Sequence, residues 1–135
     1  MKRSRDYYQN RRRLKELKHD GIKFKTTKKK AREWFDILNE QVFGSLLKPV
    51  EKIYTTKFKD DHVYAFYHYY DNKDLPTEIE LDTKFKDEKM FVEILAHEMI
   101  HHFQHLHDEP LGHGPSFAAW SDNFKLKGLN LYKAK

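Results

Sequence analysis

The segment from about Asp87 to His107 constrains this chain more than any other, because ionisable groups stand there inside a strong apolar period. Phe91, Val92, Leu95, Ala96, Met99, Ile100, Phe103 and Leu106 follow the i, i+3, i+4 rule and predict a helix with a wide apolar face. Within it, the run Ala96-His97-Glu98-Met99-Ile100-His101 is an HExxH motif. Histidines four residues apart project from one helical face about one turn, ~6 Å, from each other. Both imidazoles can then hold one metal ion while Glu98 faces a water beside it, the arrangement expected of a zinc hydrolase. The chain has no cysteine, so a metal must be held by histidine and carboxylate, and no disulfide is available to the fold.

A catalytic site of this kind needs a third protein ligand and one position left open. His102, His105, His107 and His113 are the candidates. His105 lies eight residues after His97, a helical rise of ~12 Å, and His107 suffers from the same rise. His102 points about 100° away from His101 around the helix. His113 lies beyond the helix in Gly112-His113-Gly114-Pro115, where flanking glycines let the backbone turn an imidazole back toward the metal. The expected ligands of one zinc ion are therefore His97, His101 and His113. Glu98 is the expected catalytic residue: it polarises a water, whose pKa the metal brings toward ~7, and passes the proton to the leaving amine of a peptide bond. Glu93, Asp108 and Asp122 are near enough in sequence to orient the ligands, and the sequence does not choose among them. His19, His62 and His68 have no partner at metal spacing and read as structural.

The remaining pattern supplies a frame for that helix. Residues 3 to 19 can form a helix with a thin apolar stripe of Tyr7, Tyr8, Leu14 and Leu17, ended by Asp20-Gly21. From Thr27 as N-cap, Ala31, Trp34, Phe35, Leu38 and Val42 keep helical spacing, with Gly44 where a C-terminal cap belongs. After Pro49 the period changes. Ile53–Phe58 and Val63–Tyr70 read as two strands joined at Lys59–His62, and Thr77–Leu81 as a third that buries Ile79 and Leu81 and exposes Glu78 and Glu80. A small three-stranded sheet, at least partly antiparallel, is expected. Ser116 should cap a last helix running to about Lys127. The fold class is thus α+β, the sheet packed with the motif helix and flanking helices.

The run His97-Glu98-Met99-Ile100-His101-His102 followed by Gly112-His113-Gly114-Pro115-Ser116-Phe117 resembles the HExxH helix and downstream His-Gly-x-x-Phe segment of the SprT-like metallopeptidases. Trp34–Asn39 leading to Phe43–Pro49 is similar to that family's opening helix and its Asn-x-x-x-Phe-Gly-x-x-Leu signature, so the resemblance covers roughly residues 31 to 127. It implies a zincin-like minimal metalloprotease domain over 31–135, zinc on His97, His101 and His113, a catalytic Glu98, and proteolysis of proteins attached to DNA.

Charge is unevenly distributed. Residues 1–30 hold thirteen Lys and Arg against three Asp and Glu, while the other 105 residues hold thirteen against eighteen, so a net charge of +5 hides an arm of +10. Such an arm can neutralise phosphates of single-stranded or non-specific DNA, through Arg11, Arg12, Arg13, Lys15, Lys18, Lys28, Lys29 and Lys30. Tyr7 and Tyr8 can stack on bases. The amino terminus lacks the apolar stretch of a secretory signal and no apolar run approaches a membrane span, so an intracellular protein, cytoplasmic or nucleoid-associated, is expected. Three readings follow: a zinc endopeptidase brought to nucleic acid by its arm and acting on protein substrates found there, a non-catalytic nucleic-acid-binding protein stapled by a metal, or a structural component of a larger assembly. Glu98 argues for the first, because a purely structural metal site needs no general base beside its ligand.

Overall fold

The computed structural model describes residues 4–132. Helix α1 (Arg5–Lys15) opens on Ser4, whose hydroxyl accepts from the Tyr7 amide at 3.2 Å. It is shorter than the expected span, ending at Glu16, and Leu14 is its one fully buried residue. That thin stripe is enough because α1 lies on α2 (Lys28–Gln41). Thr27 caps α2 by accepting from the Lys30 amide, and the helix buries Ala31, Trp34, Phe35, Ile37 and Leu38. Gly44 sits two residues past the C-cap Val42 at φ +61°, a left-handed position that suits glycine.

Three strands, β2 (Lys52–Thr56), β3 (Ala65–His68) and β4 (Glu78–Asp82), form the main sheet in the order β2-β4-β3. β4 runs antiparallel to β3 and parallel to β2. The sheet is therefore three-stranded and partly antiparallel, as expected, with β4 inserted between β2 and β3, the two strands that are successive in the chain. The central place suits β4 on both its faces. Ile79 and Leu81 are fully buried, while Glu80 on the other face accepts from Thr56 Oγ1 at 2.6 Å on β2 and lies 2.8 Å from His68 Nε2 on β3. A second, two-residue antiparallel pair joins β1 (Phe24–Lys25) to β5 (Lys84–Phe85), too short to leave a period in the sequence.

Helix α3 (Glu88–Leu106) crosses the middle of the molecule, capped by Asp87, whose carboxylate accepts from the Met90 amide at 2.9 Å. Its apolar spacing predicts one wide buried face, yet every residue from Phe91 to Ile100 is buried. The reason is that α2, β3, β5 and α4 (Pro115–Ala118) all pack on it, so that its polar face is covered as well. The expected last helix is broken into α4 and α5 (Ser121–Leu126). Gly114, not Ser116, is the N-cap of α4, because the Ser116 hydroxyl is engaged at the site described below. The chain then returns beside α3, burying Leu129 and donating from the Asn130 amide to Glu93 Oε2 at 2.7 Å. Among the described residues no helix is long and apolar enough to cross a membrane.

Candidate metal centre

Helical spacing puts His97 and His101 one turn apart on α3, with Nε2 atoms 3.2 Å from each other. The loop after α3 brings His113 back, its Nε2 3.1 Å from that of His97. These three imidazoles are the group of potential metal donors found among the described residues, all within 4.8 Å of one another. His97 is buried, His101 half-buried and His113 exposed, so the cluster opens to solvent on the side of the loop. The fully buried Phe117 ring backs all three, with ring centroids at 4.9, 5.6 and 4.7 Å from His97, His101 and His113.

The hydrogen bonds of the far ring nitrogens fix the tautomers. His97 Nδ1 meets the carbonyl oxygen of Tyr132 at 2.5 Å, and a carbonyl only accepts, so Nδ1 carries the proton. His101 Nδ1 meets Oε1 of Gln104 at 2.9 Å. That amide is oriented by its own surroundings: Nε2 donates to Gly112 O at 3.1 Å and to Ser116 Oγ at 2.9 Å, while Oε1 faces the Gly112 amide at 3.4 Å. Oε1 is the acceptor, hence His101 Nδ1 also donates. Both Nε2 atoms thus present lone pairs across 3.2 Å, a repulsive pairing unless a cation lies between them. Tetrahedral zinc with Zn–N bonds of 2.0–2.1 Å separates its nitrogens by about 3.3 Å, close to the spacing here. Burial, with His113 adding to it and the Gln104 hydrogen bond opposing it, holds the His101 pKa below the ordinary imidazole value, which favours the neutral form that binds metal.

Glu98 follows the first of these histidines, and one carboxylate oxygen lies 3.8 Å from His97 Nε2. Its side chain is almost wholly buried, and burial pushes its pKa up to about 8. It opens on a cleft of about 310 Å³ lined by Ala65, Phe66 and Tyr67 of β3 on one side and Leu111, Gly112 and His113 on the other. β3 is an edge strand, so the sheet ends at this cleft. Tyr67 is held by its hydroxyl donating to His102 Nδ1 at 2.7 Å, while His102 Nε2 donates to Lys48 O at 2.7 Å. Desolvation lowers the His102 pKa to about 4, and this neutral ring ties sheet to helix instead of joining the cluster.

Neither Asp108 nor Asp122 supplies the orienting contacts. Asp108 pairs with Lys73, and the partners of the two helical histidines are Gln104 and the Tyr132 carbonyl. Glu93 acts one step further out: fully buried, it accepts from the Tyr132 hydroxyl at 3.2 Å and the Asn130 amide at 2.7 Å, holding the segment whose carbonyl receives His97. His19 bridges Glu93 and Asp87 at 3.2 Å each, which clips the segment after α1 onto the same helix. Gln104 had a signal in the sequence, a lone amide three residues after a candidate ligand on a mostly apolar helix. The Tyr132 carbonyl had none. Of the basic residues singled out in the sequence, Arg11, Arg12, Lys15 and Lys18 are exposed on or just after α1, and Lys28, Lys29 and Lys30 form the exposed first turn of α2. Arg13 lies 3.6 Å from Glu33 and over the Trp34 ring, and Lys30 lies over Phe24.

Residues 31–133 match the model of the SprT-like family, most of the chain. No curated protein matches it. The α+β arrangement, with its motif helix under a small mixed sheet, is the zincin-like fold of that family.

Proposed function

The chain belongs to the SprT-like family, a family of metallopeptidase-like domains, and from that premise we propose that it is a zinc-dependent endopeptidase. The observation that carries the proposal is the convergence of three imidazoles beside a buried carboxylate at the mouth of a cleft. His97, His101 and His113 would hold the ion, the Nε2 lone pairs of His97 and His101 being left free because each Nδ1 donates to a carbonyl oxygen, of Tyr132 and of Gln104. Zinc bound there supplies Lewis acidity toward a water and a peptide carbonyl. Glu98 would take the proton of the attacking water and return it to the leaving amine; the ion beside it would favour the carboxylate form that burial by itself disfavours, so that the group can act first as base and then as acid. The free edge of β3 offers backbone donors and acceptors to an extended peptide, which would lie along the cleft as an added strand. Phe66 and Leu111 give that peptide apolar walls.

We further propose that the exposed cations Arg11, Arg12, Lys15, Lys18, Lys28, Lys29 and Lys30, with Arg13, bring the enzyme to nucleic acid, so that substrates are proteins bound there. Support comes from charge: thirteen cations against three acids in the first thirty residues, most of those named being exposed. Phosphate contacts of this kind give affinity without sequence preference and weaken with salt.

The test is paired. Zinc per chain and cleavage of a basic DNA-bound protein are measured for wild type and Glu98→Gln, with and without single-stranded DNA. One zinc in both proteins and cleavage by wild type alone supports the peptidase. Zinc without cleavage in any condition transfers the metal to a structural role, and a rate indifferent to DNA and to loss of residues 1–20 removes the nucleic-acid part.

A further inference from the structure

We propose that Gln104 is a positioning residue that sets two of the three metal ligands at once, an inference that rests on the zinc reading above. The amide is completely buried on α3, one turn after His101 and away from the cleft. Its oxygen accepts from His101 Nδ1 at 2.9 Å, which fixes the ring's tautomer and aims Nε2 at the ion. Its nitrogen donates to Gly112 O at 3.1 Å and Ser116 Oγ at 2.9 Å, on either side of His113. Ser116 in turn donates to Pro110 O at 3.3 Å, so the loop is held before, at and after the glycine that precedes the third ligand. Gly112 has φ +144°, a conformation side-chain-bearing residues rarely adopt, and the amide is what grips it.

Other assignments account for this geometry less well. A core amide serving packing alone would need only its own hydrogen bonds satisfied, and any nearby backbone group would do. Here the acceptor goes to a candidate ligand and both donors go to the segment bearing another. An aliphatic side chain of similar size fills the volume and leaves His101 free to rotate or change tautomer, with the loop released from the helix. A glutamate keeps the acceptor for His101 Nδ1 and loses the donors to the loop. The two halves of the function are therefore separable.

Cobalt is the probe, because its visible absorption reports coordination number as well as occupancy. Full-length wild type, Gln104→Met and Gln104→Glu are titrated with Co²⁺ in competition with a chelator, and the melting temperature of each metal-free protein is recorded. Removal of a residue that orients a metal ligand costs roughly 10–100-fold in affinity, and that loss is expected for Gln104→Met together with weaker absorption per bound ion. Gln104→Glu should recover the share of the loss that belongs to His101 and leave the loop's share. Cobalt affinity and spectrum unchanged in Gln104→Met overturn the proposal, whatever happens to the metal-free melting temperature, since a merely structural amide moves only the latter. Gln104→Glu binding no better than Gln104→Met also overturns it. If Gln104→Met does not fold, Ser116→Ala, which removes only the hydroxyl receiving Gln104 Nε2, should still lose affinity several-fold, and no loss overturns the loop half. Absence of cobalt binding in wild type defeats the metal reading itself, a result distinct from these.

Discussion

Replacing Glu98 by Gln should make the metal-free protein more stable, by an amount that grows with pH. Burial raises the Glu98 pKa from 4.5 in the unfolded chain to about 8 in the fold. Between those values the folded protein keeps a proton that the unfolded chain has released, so stability falls with rising pH by about 1.4 kcal/mol per unit. The loss begins near pH 4.5, reaches about 3 kcal/mol at pH 7, and levels off at about 5 kcal/mol above pH 8. Against a total stability of about 5–15 kcal/mol for a domain, this is a large sacrifice for one side chain. The variant carries no titrating group there, and every other group is common to both proteins, so the difference between their stabilities isolates Glu98. Urea unfolding in the presence of chelator, at unit steps from pH 5 to pH 9, measures it. The difference should climb with a slope near one proton until about pH 8 and then flatten. Zinc should shrink it, because a cation beside the carboxylate favours its charged form. Parallel stability curves for the two metal-free proteins across that range would refute the claim that burial strains this carboxylate.

Zinc at one hundred times its dissociation constant should add about 2.7 kcal/mol and raise Tm by roughly 10 °C, an effect that calorimetry should find missing in His113→Ala. Glu93→Gln should lower stability by about 2–3 kcal/mol in urea unfolding, since the Asn130, Tyr132 and His19 contacts all become neutral ones, and should weaken zinc through the Tyr132 carbonyl; equal zinc affinity in variant and wild type would separate that segment from the site. His102, whose pKa falls to about 4 on burial, makes stability decrease as pH drops from 6.5 to about 4, by about 3 kcal/mol in all. A His102→Gln variant should lose that acid-limb slope, and an unchanged slope would place the acid sensitivity elsewhere.

Much of the site was legible in the chain because its determinants are local. Helical spacing alone puts His97, Glu98 and His101 on a common stretch of α3, and glycines on either side of His113 leave the loop free to return. The Thr27 cap is likewise short-range chemistry, as is the alternation that buries Ile79 and Leu81, whereas α1 ends at Glu16 ahead of the break expected at Asp20-Gly21. What the sequence could not decide depends on packing between distant segments. Strand order is one such feature: Glu80 shows that β4 is polar on one face, but only folding reveals that Thr56 and His68 reach it from opposite sides. The partner of His97 is another, because a backbone carbonyl carries no residue identity and Tyr132 reaches it only through the buried Glu93, thirty-nine positions away. The raised pKa of Glu98 belongs to the same class. A carboxyl next to a histidine has an ordinary affinity for its proton in water, and it is α2, the sheet and α4 closing around α3 that remove the water. Local periodicity thus determined which residues could meet a metal, and the tertiary enclosure decided how they are oriented and with what proton affinity.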